Sequence, residues 1–287
     1  MSNSNIVITS DSTTDLGPAL LERYGISVLP LGVTLGDKAF KDGVDIAPDD
    51  IYKHHDITGE LPKTTATNVG ECTEFFSKFV NEGKTVIHFT ISSEMSSTYN
   101  NSCIAAEEIG NVYVVDTRNL STGGGLLVLA AEDMVEQGLE AEEIVKRVNE
   151  LAGKVDASFV INSLEYLYKG GRCSALSMLG ANLLKLKPCI EVKNGKMGVG
   201  KKYRGKFGDV LLEYVKERLS DKDDIVTNRV FITHAGCDEE IVKSVTELVK
   251  SLVSFDEVFI TRAGCTISSH CGADTLGVLF LRKSDVS

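Results

Sequence analysis

Short apolar runs alternate with helical segments through the first half of this 287-residue chain. The run at residues 85–89 has the length and composition of a buried strand, and residues 100–109 have those of a helix. A regular alternation of strands and helices predicts a parallel sheet that is covered by helices on both faces. We therefore expect residues 1–153 to form an N-terminal α/β domain with a doubly wound, mainly parallel sheet.

The pattern changes beyond Gly153. Asn194-Gly195 lies between two β-rich runs and is the strongest hairpin signal in the sequence. Further strand and helix candidates follow it, up to an apolar run at residues 276–281. Residues 154–287 are thus predicted to form a C-terminal domain of mixed α/β type, and residues 174–185 are predicted to form one of its helices.

Hydroxyl-rich turns are predicted at the edge of the first sheet, at residues 10–15, 64–68, 92–98 and 116–122. Ligands of open α/β sheets bind beyond the carboxyl ends of the strands, and the free N–H groups at a helix start attract anions. These turns contain few titratable groups, so they suit holding a small anion better than moving protons. The alternative is that serines such as Ser96 only cap the following helix.

His270 is predicted to lie in a short polar turn before the last strand, with serines before it and a glycine after it. A lone histidine in such a turn is usually structural, but this setting would let the imidazole point into a cleft and donate to an anion. Cys265 and Cys271 are close in sequence, yet the spacing matches no zinc pattern, and no metal is expected.

Two catalytic alternatives are weaker. Ser96 and His270 could form a hydrolase triad with Asp11 or Asp116, but the sequence has no Gly-x-Ser-x-Gly elbow. The run Gly123-Gly124-Gly125 lacks the Lys-Ser/Thr of a phosphate-binding loop. Its glycines are expected to let a helix pack closely.

Asp42-Gly43 is expected to form a hairpin turn.

Charge and composition limit the kinds of partner that this chain can bind and the compartment in which it is expected. A net charge of −11 argues against nucleic-acid binding, whereas residues 185–206 carry eight basic residues and one acid, and could dock an anionic partner or a phosphate. No apolar run approaches the roughly 20 residues needed to cross a bilayer, and the first residues lack signal-peptide features. Seven scattered cysteines form no Cys-x-x-Cys pair, which argues against a disulfide framework. These features predict a cytoplasmic protein.

Seven segments, spread over nearly the whole chain, together resemble the DegV family of bacterial fatty-acid-binding proteins. They are residues 9–16 (TSDSTTDL), 42–46 (DGVDI), 62–65 (PKTT), 92–99 (SSEMSSTY), 169–172 (KGGR), 187–188 (KP) and 267–272 (ISSHCG). The order and spacing of the segments carry the resemblance, since no single one is decisive.

The resemblance implies a protein of two α/β domains that buries one long-chain fatty acid at their junction, with no cofactor and no catalytic activity of its own. It implies that Thr64, Ser96 and His270 hold the carboxylate, with Thr65 and Ser97 beside them. It also implies a partner, a separate ATP-dependent fatty acid kinase that makes acyl-phosphate. Contact with a membrane would be transient at most, and no nucleic acid is expected.

Within the same resemblance, Arg172 and Arg204 are candidates to face the phosphate or the kinase. The chain departs from the family pattern at Ala66-Thr67, where Gln-Pro is common, at Ser97, where glycine is common, and at Cys271, where threonine is common. Ser97 adds a side chain near the proposed head-group site and can change its shape. Two other functions stay open, an acyl-ester hydrolase that uses Ser96 and His270, and a regulator that senses a lipid or another small carboxylate.

Overall fold

The computed structural model describes residues 5–173 and 186–286, so the helix predicted at residues 174–185 lies outside the described part of the chain. The described residues form three β-sheets. Two of these sheets, one parallel and one mixed, give the α/β architecture that the sequence predicts.

The first sheet is parallel throughout. Its strands, in spatial order, are β2 (Ser27–Leu29), β1 (Ile6–Asp11), β6 (Thr85–Thr90) and β7 (Val112–Asp116). The helices that pack against it are α1 (Gly17–Tyr24), α3 (Val69–Val80), α4 (Thr98–Ile109), α5 (Thr122–Glu136) and α6 (Ala141–Ala152). Phe76 of α3 and Ala105 of α4 pack with Val86 on one face, whereas α5 and α6 pack with Ile8 and Ile87 on the other. The sheet is doubly wound, as predicted.

Helix α5 lies deep inside the molecule, with 11 of its 15 residues buried. A helix that is apolar on all sides must be covered on all sides, and α5 packs between the first sheet and residues of the second. Its three glycines permit this, because a Cβ on Gly125 would lie 2.8 Å from Leu16 Cδ2 and 3.0 Å from Thr14 O. The glycines therefore serve close packing, as the sequence predicts.

A small antiparallel sheet joins the first half and differs from the sequence prediction. Its strands, in spatial order, are β4 (Lys38–Lys41), β3 (Gly32–Leu35) and β5 (Lys63–Thr65), with α2 (Pro48–Thr58) between β4 and β5 in the chain. Thr64 and Thr65, predicted in a loop, pair with β3 instead. The hairpin turn is at Gly36-Asp37, because Leu35 pairs with Lys38, and the prediction of a hairpin turn at Asp42-Gly43 is wrong.

The second half contains a seven-stranded mixed sheet in which, among the described residues, only β12 (Ile225–Ala235) and β13 (Glu257–Arg262) are parallel neighbours. Its strands, in spatial order, are β11 (Lys196–Tyr203), β10 (Lys187–Lys193), β9 (Ser158–Ile161), β14 (Thr275–Arg282), β12 (Ile225–Ala235) and β13 (Glu257–Arg262), with β8 (Val155–Asp156) paired to β14. Asn194 and Gly195 turn the predicted hairpin with φ values of 51° and 81°.

Each face of this sheet has its own cover. Val230 and Ile232 pack on α8 (Phe207–Arg218) and α9 (Glu239–Leu252), whereas Phe231 between them faces the core that contains α5. Two short helices, α7 (Glu165–Gly170) and α10 (Cys265–Cys271), lie between strands in the chain. His270 is thus in the last turn of a helix, not in a turn as predicted.

The predicted domain boundary at residues 153 and 154 falls between α6 and β8, and the two domain ranges stay a prediction. Among the described residues, no helix combines the length and the apolar character that crossing a membrane requires.

Candidate ligand-binding site

A cavity of ≈ 610 Å³ lies between the two halves of the molecule. This volume is within the range of about 300–1,000 Å³ that is usual for small-molecule sites. Its main apolar lining residues are Leu31, Ile91, Met95, Leu120, Met197 and Ile267. Its main polar ones are Thr64, Thr65, Ser96, Ser97, Asn101, Arg172 and His270. The cavity can therefore hold an apolar chain and a polar group at once.

Thr64 and His270 meet across the two halves. Thr64 Oγ1 lies 2.9 Å from His270 Nε2, although the residues are 206 positions apart in sequence. Thr64 is the central residue of strand β5, and His270 is in the last turn of α10. Both side chains are thus carried by regular secondary structure, which fixes their positions better than the predicted loop and turn would.

The protonation of His270 follows from its surroundings. Burial, together with the positive charge of Arg172, lowers the pKa of His270 to about 4, so the imidazole is neutral at pH 7. Its Nδ1 is buried and has no hydrogen-bond partner among the described residues. A buried N–H without an acceptor is unfavourable, so the proton belongs on Nε2. Nε2–H then donates to Thr64 Oγ1, and the hydroxyl proton of Thr64 is available to a ligand oxygen in the cavity.

Ser96 lies in the turn between β6 and α4. Its Oγ accepts from the backbone N–H of Thr98 at 3.2 Å and lies 2.9 Å from Thr98 Oγ1. Ser96 therefore does cap the start of α4, as the alternative interpretation expects, and it lines the cavity as well. Ser97 beside it is exposed and makes no capping hydrogen bond with its side chain.

The structure places the remaining predicted residues in two groups. Thr65 and Arg172 are exposed and line the cavity, and Arg172 Nη1 donates to Gly170 O at 2.7 Å. Arg204 is exposed, follows β11 and is not among the lining residues. Six of the seven predicted site residues are thus brought to one cavity, and Arg204 is not.

The side chains proposed for a hydrolase triad are not arranged as one. His270 Nε2 contacts Thr64 and not Ser96. The carboxylate of Asp11 accepts from Thr13 and from the backbone N–H of Ile91, and that of Asp116 accepts from Ser93. Neither carboxylate orients the imidazole in the described structure. Within residues 5–173 and 186–286, no three His, Cys, Asp or Glu side chains are grouped to hold a metal ion.

Met197 is a lining residue that sequence reasoning missed. It lies two residues after the hairpin turn, which is docked on the first half of the molecule. Ser92 Oγ donates to Gly195 O at 2.8 Å, and Arg118 Nη2 donates to Asn194 O at 2.6 Å. The hairpin signal was visible in the sequence, but the surface on which the turn docks was not.

The basic segment is partly neutralised by acids. Lys193 pairs with Glu191, Lys196 pairs with Glu94, and Lys201 contacts Glu213 and Glu217. The segment is therefore less positive than its sequence suggests.

The fold and the cavity define a protein of two α/β domains whose junction encloses a space for a small molecule. Comparison with known proteins identifies the family, because the model of the uncharacterised DegV family matches residues 5–283. The chain belongs to the DegV family.

Relatives cover almost the whole chain. A fatty acid-binding protein of Thermotoga maritima is 32% identical over 281 residues, which are 95% of this chain and 96% of the relative. The structure of a fatty-acid-binding DegV family protein from Thermus thermophilus superposes with a TM-score of 0.89 at 29% identity, covering 97% of this chain and 99% of that one. The structure of a stearic acid-binding protein from Eubacterium ventriosum superposes with a TM-score of 0.86 at 28% identity, covering 96% of this chain and 98% of that one.

Proposed function

We propose that this protein binds one long-chain fatty acid in the cavity and presents its carboxylate to a separate ATP-dependent fatty acid kinase. The observation that carries the first part is the meeting of Thr64 and His270, 2.9 Å apart, on the wall of a largely apolar space between the two halves. The fatty-acid-binding relatives from Thermotoga maritima and Thermus thermophilus support the same ligand class.

The energetics favour a ligand with both a tail and an acidic head. A tail of about fifteen methylenes, at ~0.8 kcal/mol each, gives roughly 12 kcal/mol of gross burial. Desolvation of an unpaired carboxylate would remove several kcal/mol of this gain. Hydrogen bonds from Thr64 and Ser96, with His270 behind Thr64, would compensate, because bonds to an ionised group are stronger than neutral ones. Thr65 and Ser97 are proposed to complete the head-group site.

The second part of the proposal concerns presentation. Arg172 is exposed and also lines the cavity, so it lies at the opening, where a transferred phosphate would have to approach the carboxylate. Arg204 is exposed at the end of β11 and is proposed as a contact for the kinase. In this proposal the chemistry belongs to the kinase, and this chain acts as the carrier. A cytoplasmic location fits a partner that uses ATP.

Native mass spectrometry of the freshly purified protein tests the ligand. We expect a mass excess equal to one long-chain fatty acid, which is lost on denaturation. Ser96→Ala and His270→Ala should retain less lipid. Ser93→Ala is the matched control, because Ser93 lies in the same turn, contacts Asp116 and does not line the cavity. Full retention by both site variants would overturn the head-group assignment.

Two further assays separate the alternatives. Turnover of a long-chain acyl ester that is lost in Ser96→Ala would favour a hydrolase. Binding of fatty acid without any acyl-phosphate formation, when kinase and ATP are supplied, would favour a lipid-sensing regulator. Loss of acyl-phosphate formation in Arg172→Ala or Arg204→Ala, with lipid retention unchanged, would support the proposed roles of these arginines.

A further inference from the structure

The helix that carries His270 begins on side chains from the other half of the molecule. Gly264, the residue before α10, has no side chain with which to cap the helix. Instead, Asp15 Oδ1 accepts from the backbone N–H of Gly264 at 2.8 Å, and Asp42 Oδ1 accepts from that of Cys265 at 2.7 Å. Side-chain oxygens that accept hydrogen bonds are favoured at a helix N-terminus, where backbone N–H groups lack partners within the helix.

Asp42 makes the more extensive contact of the two. Its second oxygen, Oδ2, accepts from the backbone N–H of Thr266 at 3.0 Å, so one carboxylate spans two successive N–H groups of α10. The same oxygen accepts from Ser12 Oγ at 3.0 Å, which fixes the carboxylate from its own side. Asp42 is only 4% exposed, so these bonds are shielded from water.

Asp15 is held just as firmly. Its backbone has a φ of 50°, a left-handed conformation that a residue with a Cβ rarely adopts. Its Oδ2 accepts from Ser121 Oγ at 2.5 Å, and the residue is 6% exposed. Such conformations persist only where the surroundings impose them.

The approach of the helix to the two acids leaves no spare room. A Cβ on Gly264 would lie 3.1 Å from Asp15 Oδ1 and 3.3 Å from Asp42 Oδ1. A seven-residue helix has about two turns, so a shift of its first turn is transmitted directly to His270 in its last turn. The imidazole is itself confined between Thr64 and Gly170.

We propose that Asp42, assisted by Asp15, is a positioning residue for the carboxylate site, because it fixes α10 and thereby sets His270 against Thr64. This inference rests on the proposed function. It gives a role to the segment at residues 42–46 that goes beyond the structure of its own loop.

Asp42→Asn tests the proposal with a change that keeps the shape of the side chain. The amide group replaces one accepting oxygen by an N–H donor that faces a backbone N–H of α10. We expect about tenfold weaker binding of palmitic acid. We also expect the pKa of His270, measured by NMR of the ligand-free protein, to rise from its low value towards the ordinary range. A merely structural role would lower stability without moving the His270 titration in the folded protein.

Asp238→Asn is the matched control, because Asp238 caps α9 by accepting from the backbone N–H of Glu240 at 2.9 Å, outside the cavity lining. It should change neither readout. A folded Asp42→Asn protein with the parent's affinity for palmitic acid and the parent's His270 titration would overturn the proposal.

A second variant covers the case in which Asp42→Asn does not fold. Gly264→Ala keeps both aspartate side chains and suits the local φ of −69°, but its Cβ would push α10 away from them. We expect the same weaker binding of palmitic acid and the same rise in the pKa of His270. The absence of both changes would overturn the proposal. Gly153→Ala is its control, since the nearest atom to its Cβ would be 3.7 Å away.

The two readouts also separate this inference from the proposed function. If the parent protein binds no palmitic acid, the proposed function fails. The His270 titration then decides whether Asp42 positions α10, because it is measured without ligand.

Discussion

Gly170 lies against the imidazole of His270, and a Cβ at this position would be 2.6 Å from His270 Nδ1. Gly170 is the last residue of α7, so two short helices of the second half meet at this point. The close approach of Gly170 limits the space around the imidazole, whose Nδ1 is buried. A glycine in this place is thus part of the head-group site, although it has no side chain to offer a ligand.

Gly170→Ala should displace His270 and lengthen the bond to Thr64. We expect about tenfold weaker binding of palmitic acid, measured by isothermal titration calorimetry, with the fold retained. Gly208→Ala, in helix α8, is a suitable control because the nearest atom to its Cβ would be 3.7 Å away. Unchanged affinity in Gly170→Ala would show that the position of His270 does not matter for binding.

Thr64→Val removes the proposed donor and keeps the shape of the side chain. A hydrogen bond to a charged group contributes about 1.5–3 kcal/mol, so the dissociation constant for palmitic acid should rise by about one to two orders of magnitude. Thr34→Val in the neighbouring strand β3 tests for general effects on the small sheet. Equal affinities of the two variants would contradict the role of the Thr64 hydroxyl.

Asp15 predicts how stability depends on pH. Burial raises the pKa of Asp15 to about 8, and the like charges of Asp42 and Asp11 add to the shift, while hydrogen bonds from Ser121 and Gly264 oppose it. In the unfolded chain the pKa is ~3.9. The folded state therefore retains a proton that the unfolded state has lost. The contribution of Asp15 to the free energy of unfolding is therefore fully present below pH ~4 and is lost as the pH rises through about 8.

Urea denaturation between pH 5 and pH 8 measures this effect. The free energy of unfolding of the parent should fall more steeply with pH than that of Asp15→Asn, by at most ~1.4 kcal/mol per pH unit for one proton. Asp238→Asn, in which an exposed carboxylate is lost, serves as the control. Parallel curves for the parent and Asp15→Asn would show that Asp15 does not retain its proton.

Gly195 predicts the importance of the docked hairpin turn. Its φ is 81°, and a Cβ would lie 2.7 Å from Ser92 Oγ. Gly195→Ala should destabilise the fold by ~1–2 kcal/mol from backbone strain alone, with a further loss from the displaced contact. Urea denaturation of Gly195→Ala and Gly198→Ala compares a crowded glycine with an open one, since the nearest atom to the second Cβ is 4.0 Å away. A variant as stable as the parent would exclude a structural role for this contact.

The parallel sheet was predictable because its information is local. β1, β6 and β7 are short apolar runs that end in polar turns, and the carboxyl ends of parallel strands meet at one edge. Residues 11 and 116 end β1 and β7, the two strands that flank β6, and the turn that contains Ser96 follows β6 between them. Alternation and turn composition were sufficient for this part of the fold.

The rest of the site depends on contacts between distant residues. Thr64 lies in a strand because β3 pairs with it, and three residues with few apolar neighbours do not reveal such a pairing. His270 lies in a helix whose first N–H groups are satisfied by Asp15 and Asp42, more than 200 positions away. A search for local capping residues finds none there. The resemblance to a family brought these residues together before the structure did, but only the geometry shows what holds them.

The cavity has walls from both halves of the molecule, and this arrangement constrains how a ligand can leave. Its volume of ≈ 610 Å³ equals that of about twenty molecules of liquid water. Release of a ligand would therefore exchange one bound molecule for many waters. If the halves separate to let water enter, Thr64 and His270 separate as well, because one belongs to each half. Loss of the carboxylate contacts and opening of the cavity would then occur in the same movement. A ligand would therefore be either bound with its carboxylate held at the head-group site or in the course of dissociation.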